Sequence, residues 1–143
     1  MTALIIEDNA DCRELLRENL RLCGATTFAE RSTLKAALDT LSKLSFDVIC
    51  LDLKLEDATA AETIATLPAI ASYAGDAALI VVSGFTQACI PELEKYCGAV
   101  IAKPYNFDDF KAGFDKAMKP QRKPVFNVSL LLKCMASGKT QAA

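Results

Sequence analysis

Asp47-Val48-Ile49-Cys50-Leu51-Asp52 holds four consecutive apolar residues that stop on a carboxylate. A strand with one face in water alternates polar and apolar side chains. An unbroken apolar run instead predicts a strand covered on both faces, as in a parallel sheet between helices. Two runs of the same kind flank it. Leu4-Ile5-Ile6 comes earlier and stops at Glu7-Asp8-Asn9, and Leu79-Ile80-Val81-Val82 comes later and stops at Ser83-Gly84. A weaker run, Ala99-Val100-Ile101-Ala102, ends at Lys103-Pro104, and Thr26-Thr27-Phe28 reads as a brief strand.

The segments between these runs have helical periodicity. Cys12, Leu16, Leu20 and Cys23 share one face, and Leu34, Leu38 and Leu41 share another behind Ser32 as the expected N-cap. Thr59-Ala60-Ala61-Glu62 has the form of a capping box and opens a helix with Ile64, Leu67 and Ile70 inward, before Gly75-Asp76 breaks the pattern. A helix is expected from Pro91 to Tyr96. Asn106 caps a last one, with Asp108 and Asp109 in its first turn and Phe107, Phe110, Phe114 and Met118 as its inward stripe. Alternating strands and helices predict an α/β fold: a five-stranded parallel sheet with helices on both faces, whose ligands sit beyond the carboxyl ends of the strands.

The 143 residues, 52% of them hydrophobic, suffice for one core. All 18 acids lie in 1–118 against 11 bases, whereas 119–143 hold five bases and no acid. The chain is therefore expected to divide into one domain, 1–118, and a basic, apolar C-terminal tail, 119–143. The tail fits a helix through Val128, Leu131, Leu132 and Met135, and a strand through Phe126, Val128, Leu130, Leu132 and Cys134, so periodicity leaves both open; a helix docked on the face of the last two helices is the preferred reading. Its bases are too sparse to predict nucleic acid or membrane contact. With no basic leader and no apolar run near the roughly 20 residues that span a bilayer, the expected location is cytoplasmic. The six cysteines form no CxxC pair and read as reduced residues, mostly buried. Histidine is absent, which excludes Ser-His-Asp triads, histidine metal sites and a phosphohistidine donor role.

Glu7 and Asp8 follow the first strand, Asp52 the third, Ser83 the fourth and Lys103 the fifth, so three carboxylates, a hydroxyl and an ammonium are expected at one edge. Three clustered carboxylates repel unless a hard cation sits among them, and Mg²⁺ suits a site of carboxylates, waters and a phosphate. Asp52 can then serve as a nucleophile toward phosphorus, with Lys103 and the Ser83 hydroxyl countering the charge on the transferring group.

With these motifs in order, Leu4-Ile5-Ile6-Glu7-Asp8-Asn9, Asp47 to Leu55, Val81-Val82-Ser83-Gly84 and Ala102-Lys103-Pro104-Tyr105, residues 1–118 resemble the receiver domain of bacterial response regulators, of the stand-alone type. The resemblance implies a flavodoxin-like doubly wound receiver fold and Asp52 as phosphoacceptor. It implies Mg²⁺ bound by Asp8, Asp52 and the Lys54 backbone carbonyl, with Glu7 acting through water, and Ser83 and Lys103 touching the phosphoryl group. It also implies a cis Lys103-Pro104 peptide. The expected donor is a sensor histidine kinase or histidine phosphotransfer protein, and the output is contact with a downstream protein or a second copy. No enzymatic activity is expected beyond phosphorylation and dephosphorylation of Asp52 itself.

Glu56 stands where this family usually has proline, Ala60 where it has glycine, and Val100 where many members have an aromatic switch. Ser83-Gly84-Phe85 is similar to the Thr-Gly-aromatic step of some stand-alone receivers linked to unusual sensor kinases. Two enzyme readings fall away. Ser137-Gly138-Lys139-Thr140 would need the first glycine of a P-loop at Lys133, and a haloacid-dehalogenase-like phosphatase would need an aspartate at Lys54. The rival from another class is a receiver-like binding module that works without phosphorylation; such modules lose an acid or the lysine, and all five residues are present here.

Overall fold

The computed structural model describes residues 1–84 and 90–120. In chain order they form β1 (Thr2–Ile6), α1 (Ala10–Leu22), β2 (Thr27–Arg31), α2 (Leu34–Lys43), β3 (Val48–Leu51), α3 (Ala60–Ala74), β4 (Ala78–Ser83), α4 (Ile90–Leu93), β5 (Ala99–Ala102) and α5 (Phe107–Met118). All strand pairings are parallel and the order is β2-β1-β3-β4-β5. The chain thus winds to one edge from β1, crosses back, and continues to the other, the doubly wound topology that the alternating pattern predicts.

The unbroken apolar runs now have their reason. Leu4, Ile6, Ile49, Leu51 and Val81 face one way, against Leu41 of α2 and Leu67 and Ile70 of α3. Their neighbours Ile5, Val48, Cys50, Ile80 and Val82 face the other way, against Leu16 and Leu20 of α1 and Phe110 and Phe114 of α5. Side chains alternate with period two along a strand, so a sheet sandwiched between helices must be apolar at every position. At roughly 1.5–3 kcal/mol per fully buried aliphatic side chain, these two layers hold the fold together. Among the described residues no helix is long and apolar enough to cross a membrane.

Local differences from the sequence expectations have local causes. Thr33, not Ser32, caps α2: it is the extended residue, and its hydroxyl accepts the Ala36 amide at 3.1 Å. The two amides before that one, Leu34 and Lys35, go at 2.7 and 3.0 Å to the Asp57 carboxylate from the loop after β3. The capping box at Thr59 and Glu62 forms as expected, and Asn106 makes a second one with Asp109. β2 is longer than expected and only half-buried, because it is an edge strand. The helix expected from Pro91 to Tyr96 stops at Leu93, where the Lys95 and Tyr96 amides tighten onto carbonyls three residues back.

On α5, Phe110 and Phe114 are buried, but Met118 is 39% exposed and Ala117 takes the inward position. The reason is proximity: a Cβ built on Gly98, just before β5, would lie 2.9 Å from the Ala117 Cα. One built on Gly113 would lie 2.7 Å from Ile101 Cδ1, so α5 rests on β5 with no gap at either point. The Lys103-Pro104 peptide is cis, as the resemblance implies. Residues 121–143 and the Phe85 step lie outside the described residues, and with them the helix, strand and docking readings of the tail.

Candidate functional site

Parallel register sets the site's floor. Ile6 pairs with Leu51, Leu51 with Val81, and Ser83 with Ala102, so the residues one step beyond β1, β3 and β5 emerge along one edge. The ladder continues into them: the Asp52 amide donates to the Ile6 carbonyl at 2.9 Å and the Lys103 amide to the Ser83 carbonyl at 3.0 Å. The backbone beneath Glu7, Asp52 and Lys103 is therefore fixed by the sheet.

Glu7 is completely buried, Asp52 is 7% exposed, Ser83 is completely buried at the end of β4, and Asp8 is half-buried. Ligand oxygens of Glu7, Asp8 and Asp52 all lie within 4.8 Å of one another. The Lys103 ammonium reaches between two of them, hydrogen-bonded to Glu7 Oε1 and 3.3 Å from Asp52 Oδ2. Glu7, Asp8, Asp52 and Lys103 thus meet at one edge, and Ser83 ends β4 in register with Ala102, the residue before Lys103. Lys54 is exposed, and its amide donates to Asp52 Oδ1 at 3.4 Å.

Burial pushes the Glu7 carboxyl up to about 7. The Lys103 ammonium pulls it down and the neighbouring Asp52 pushes it up. Burial lowers the Lys103 pKa, but its hydrogen bond to Glu7 and the charges of Asp52 and Glu7 outweigh this, and the net shift is upward. Three crowded carboxylates with one ammonium between them carry excess negative charge in a partly dry cleft. Hard oxygen donors so arranged fit a divalent cation with an oxygen-only preference.

Sequence reasoning missed the supports of this cluster. Asn9 caps α1 by accepting the Cys12 amide at 2.9 Å, and its own amide reaches Glu7 Oε2 at 3.3 Å. Arg13 Nη1 donates to the main-chain carbonyls of Glu7 at 2.8 Å and Asp8 at 3.1 Å. An Asn three residues before a helix amide is a legible cap, but nothing in the spacing marks the arginine. Beside the site, half-buried Tyr105 lies 6.0 Å from the Phe110 ring, centre to centre. Burial lifts its hydroxyl to about 12, although a hydrogen bond with Asn19 lowers it. Val100 is partly buried against the α2–α3 layer and offers no ring to turn.

A family profile described as response regulator receiver domain matches residues 3–114. No curated protein matches the chain significantly. Solved structures do. A response regulator from Burkholderia pseudomallei, carrying a phosphorylated aspartic acid, a calcium ion and citrate, superposes with a TM-score of 0.67 at 18% identity over 99% of this chain and 76% of that one. The receiver domain of the Erythrobacter litoralis PhyR response regulator gives 0.71 at 18% identity over 87% and 94%. The receiver domain of a sensor histidine kinase from Pseudomonas aeruginosa PAO1, with magnesium coordinated in its active-site cleft, gives 0.67 at 15% identity over 83% and 98%. At such identities the superpositions establish a shared fold.

Proposed function

The chain belongs to the response regulator receiver domain family, and from that premise we propose that it accepts a phosphoryl group on Asp52 from a histidine kinase or histidine phosphotransfer protein and signals by contact with another protein. The observation that carries this reading is the convergence of Glu7, Asp8 and Asp52, with the Lys103 ammonium 3.3 Å from Asp52 Oδ2.

An Asp52 oxygen forms the bond to phosphorus as the bond to the donor breaks. Lys103 presents a point charge to the phosphoryl oxygens, and the Ser83 hydroxyl donates to another of them as negative charge spreads there. Asp8, Asp52 and the Lys54 carbonyl are the residues that would hold Mg²⁺, with Glu7 acting through water. The ion supplies charge neutralisation between carboxylates and phosphate. The magnesium and the phosphorylated aspartate in the Pseudomonas and Burkholderia structures are consistent with this assignment. Turnover is confined to the chain's own Asp52.

The test is to incubate the full chain with Mg²⁺ and a small phosphodonor and to map the adduct by mass spectrometry. One phosphoryl group on Asp52 is expected, and none in Asp52→Asn, which keeps the volume and removes the nucleophile. Full labelling of that variant, or none of the wild type, would overturn the reading.

A further inference from the structure

Glu7 and Asp8 are consecutive, and consecutive side chains on an extended strand point to opposite faces. For both carboxylates to bring oxygens within 4.8 Å of Asp52, the chain must leave β1 in a bend whose peptide planes are held. Arg13 supplies the hold. It lies in the first turns of α1, where its own amide closes onto the Asn9 carbonyl at 2.9 Å. Its side chain folds back so that one nitrogen, Nη1, serves the Glu7 carbonyl at 2.8 Å and the Asp8 carbonyl at 3.1 Å. Each of the two N–H bonds on that nitrogen has one acceptor, and guanidinium remains charged at any working pH. These hydrogen bonds go to main-chain oxygens, so Arg13 orients the two acids without consuming a carboxylate oxygen.

We propose that Arg13 is a positioning residue for the divalent cation: it fixes the Glu7 and Asp8 peptides and thereby sets the geometry and affinity of the metal site. This rests on the function proposed above. Groups that orient metal ligands typically control affinity by 10–100-fold although they never touch the ion. A lysine at this position has a compact ammonium on a flexible stem and recovers only part of the paired hold.

The experiment uses the full chain as wild type, Arg13→Ala and Arg13→Lys. Mg²⁺ alone is titrated while amide resonances of residues 7–9 are followed, and phosphoryl uptake from a small donor is then measured across Mg²⁺ concentration. In Arg13→Ala the half-saturating Mg²⁺ should rise about tenfold or more, uptake should return to the wild-type rate at saturating Mg²⁺, and Arg13→Lys should fall between. An unchanged half-saturation in Arg13→Ala, or a rate deficit that saturating Mg²⁺ leaves in place, overturns the proposal. If circular dichroism shows Arg13→Ala unfolded, the folded lysine variant decides: weakened Mg²⁺ binding supports the role, and wild-type binding ends it. A wild type that neither binds Mg²⁺ nor takes phosphate would fail the functional reading itself, a result distinct from all of these.

Discussion

At Lys103 one ammonium serves two carboxylates, bonded to Glu7 and 3.3 Å from Asp52, and only about a quarter of its side chain meets solvent. Cutting it back to Ala removes the only cation among the described residues that is paired with either acid. Glu7, with its carboxyl already lifted to about 7 by burial, can answer by holding a proton instead of an unpaired charge, so the fold should survive. The transferring phosphoryl group has no such escape. Lys103→Ala should therefore take up phosphate on the order of a hundredfold more slowly at saturating Mg²⁺, the usual cost of losing one preorganised stabiliser, while its Mg²⁺ half-saturation stays close to wild type. Parallel titrations of metal and phosphodonor separate the two effects, and an equal loss of both would make the lysine structural. The acids were legible in the sequence because Glu7-Asp8 and Asp52 end enclosed apolar runs, and the lysine because it ends the weaker run of the edge strand β5. Arg13 was not, because its partners are main-chain carbonyls that leave no trace in residue type or spacing.

Among the elements, α2 depends on a residue from a distant loop. Asp57 accepts the Leu34 and Lys35 amides at 2.7 and 3.0 Å; the hydrogen bond from Lys35 is the largest influence on its carboxyl, burial opposes it, and with the further hydrogen bond from Leu34 the net shift is below the ordinary range. A carboxyl lowered in the folded state contributes stability that is complete above its unfolded pKa of about 3.9 and disappears as pH falls through the lower folded value. Asp57→Ala should lose about 1 kcal/mol at neutral pH, the typical value of an N-cap. Urea melts should show that difference closing below about pH 4, and a deficit constant with pH would rule out the charged cap. The same contact explains why the start of α2 could not be read locally: Ser32 is by type the better cap than Thr33, and Asp57, outside the local window, bonds the same first turn as the Thr33 cap. Where strands are fully enclosed, as at Leu4-Ile5-Ile6, Val48–Leu51 and Leu79–Val82, the run of apolar residues was sufficient evidence. On β2, at the edge, Glu30 and Arg31 dilute it. Met118 and Ala117 differ by one helical position, and the close approach of Gly98 chose between them.

Over the whole molecule, residues 1–118 carry 18 acids against 11 bases, and three of those acids meet at one edge of the sheet. A cation bound there by the folded chain and not by the unfolded one stabilises the fold by mass action, about 2.7 kcal/mol at a hundredfold excess over its dissociation constant. Mg²⁺ should therefore raise the melting temperature by several degrees, whereas NaCl at matched ionic strength should not, and Asp8→Ala should lose most of the effect. Calorimetry with and without chelator measures it; equal shifts from both salts would reduce the cluster to general screening. The glycines under α5 bear on how such an event spreads. With Gly98 against Ala117 and Gly113 against Ile101, strand and helix mesh at two points along their length, as a rack meshes with its pinion locked. Sliding α5 along β5 would drive Ala117 and Ile101 out of the spaces these glycines leave, and Lys103 stands one residue beyond the end of that strand.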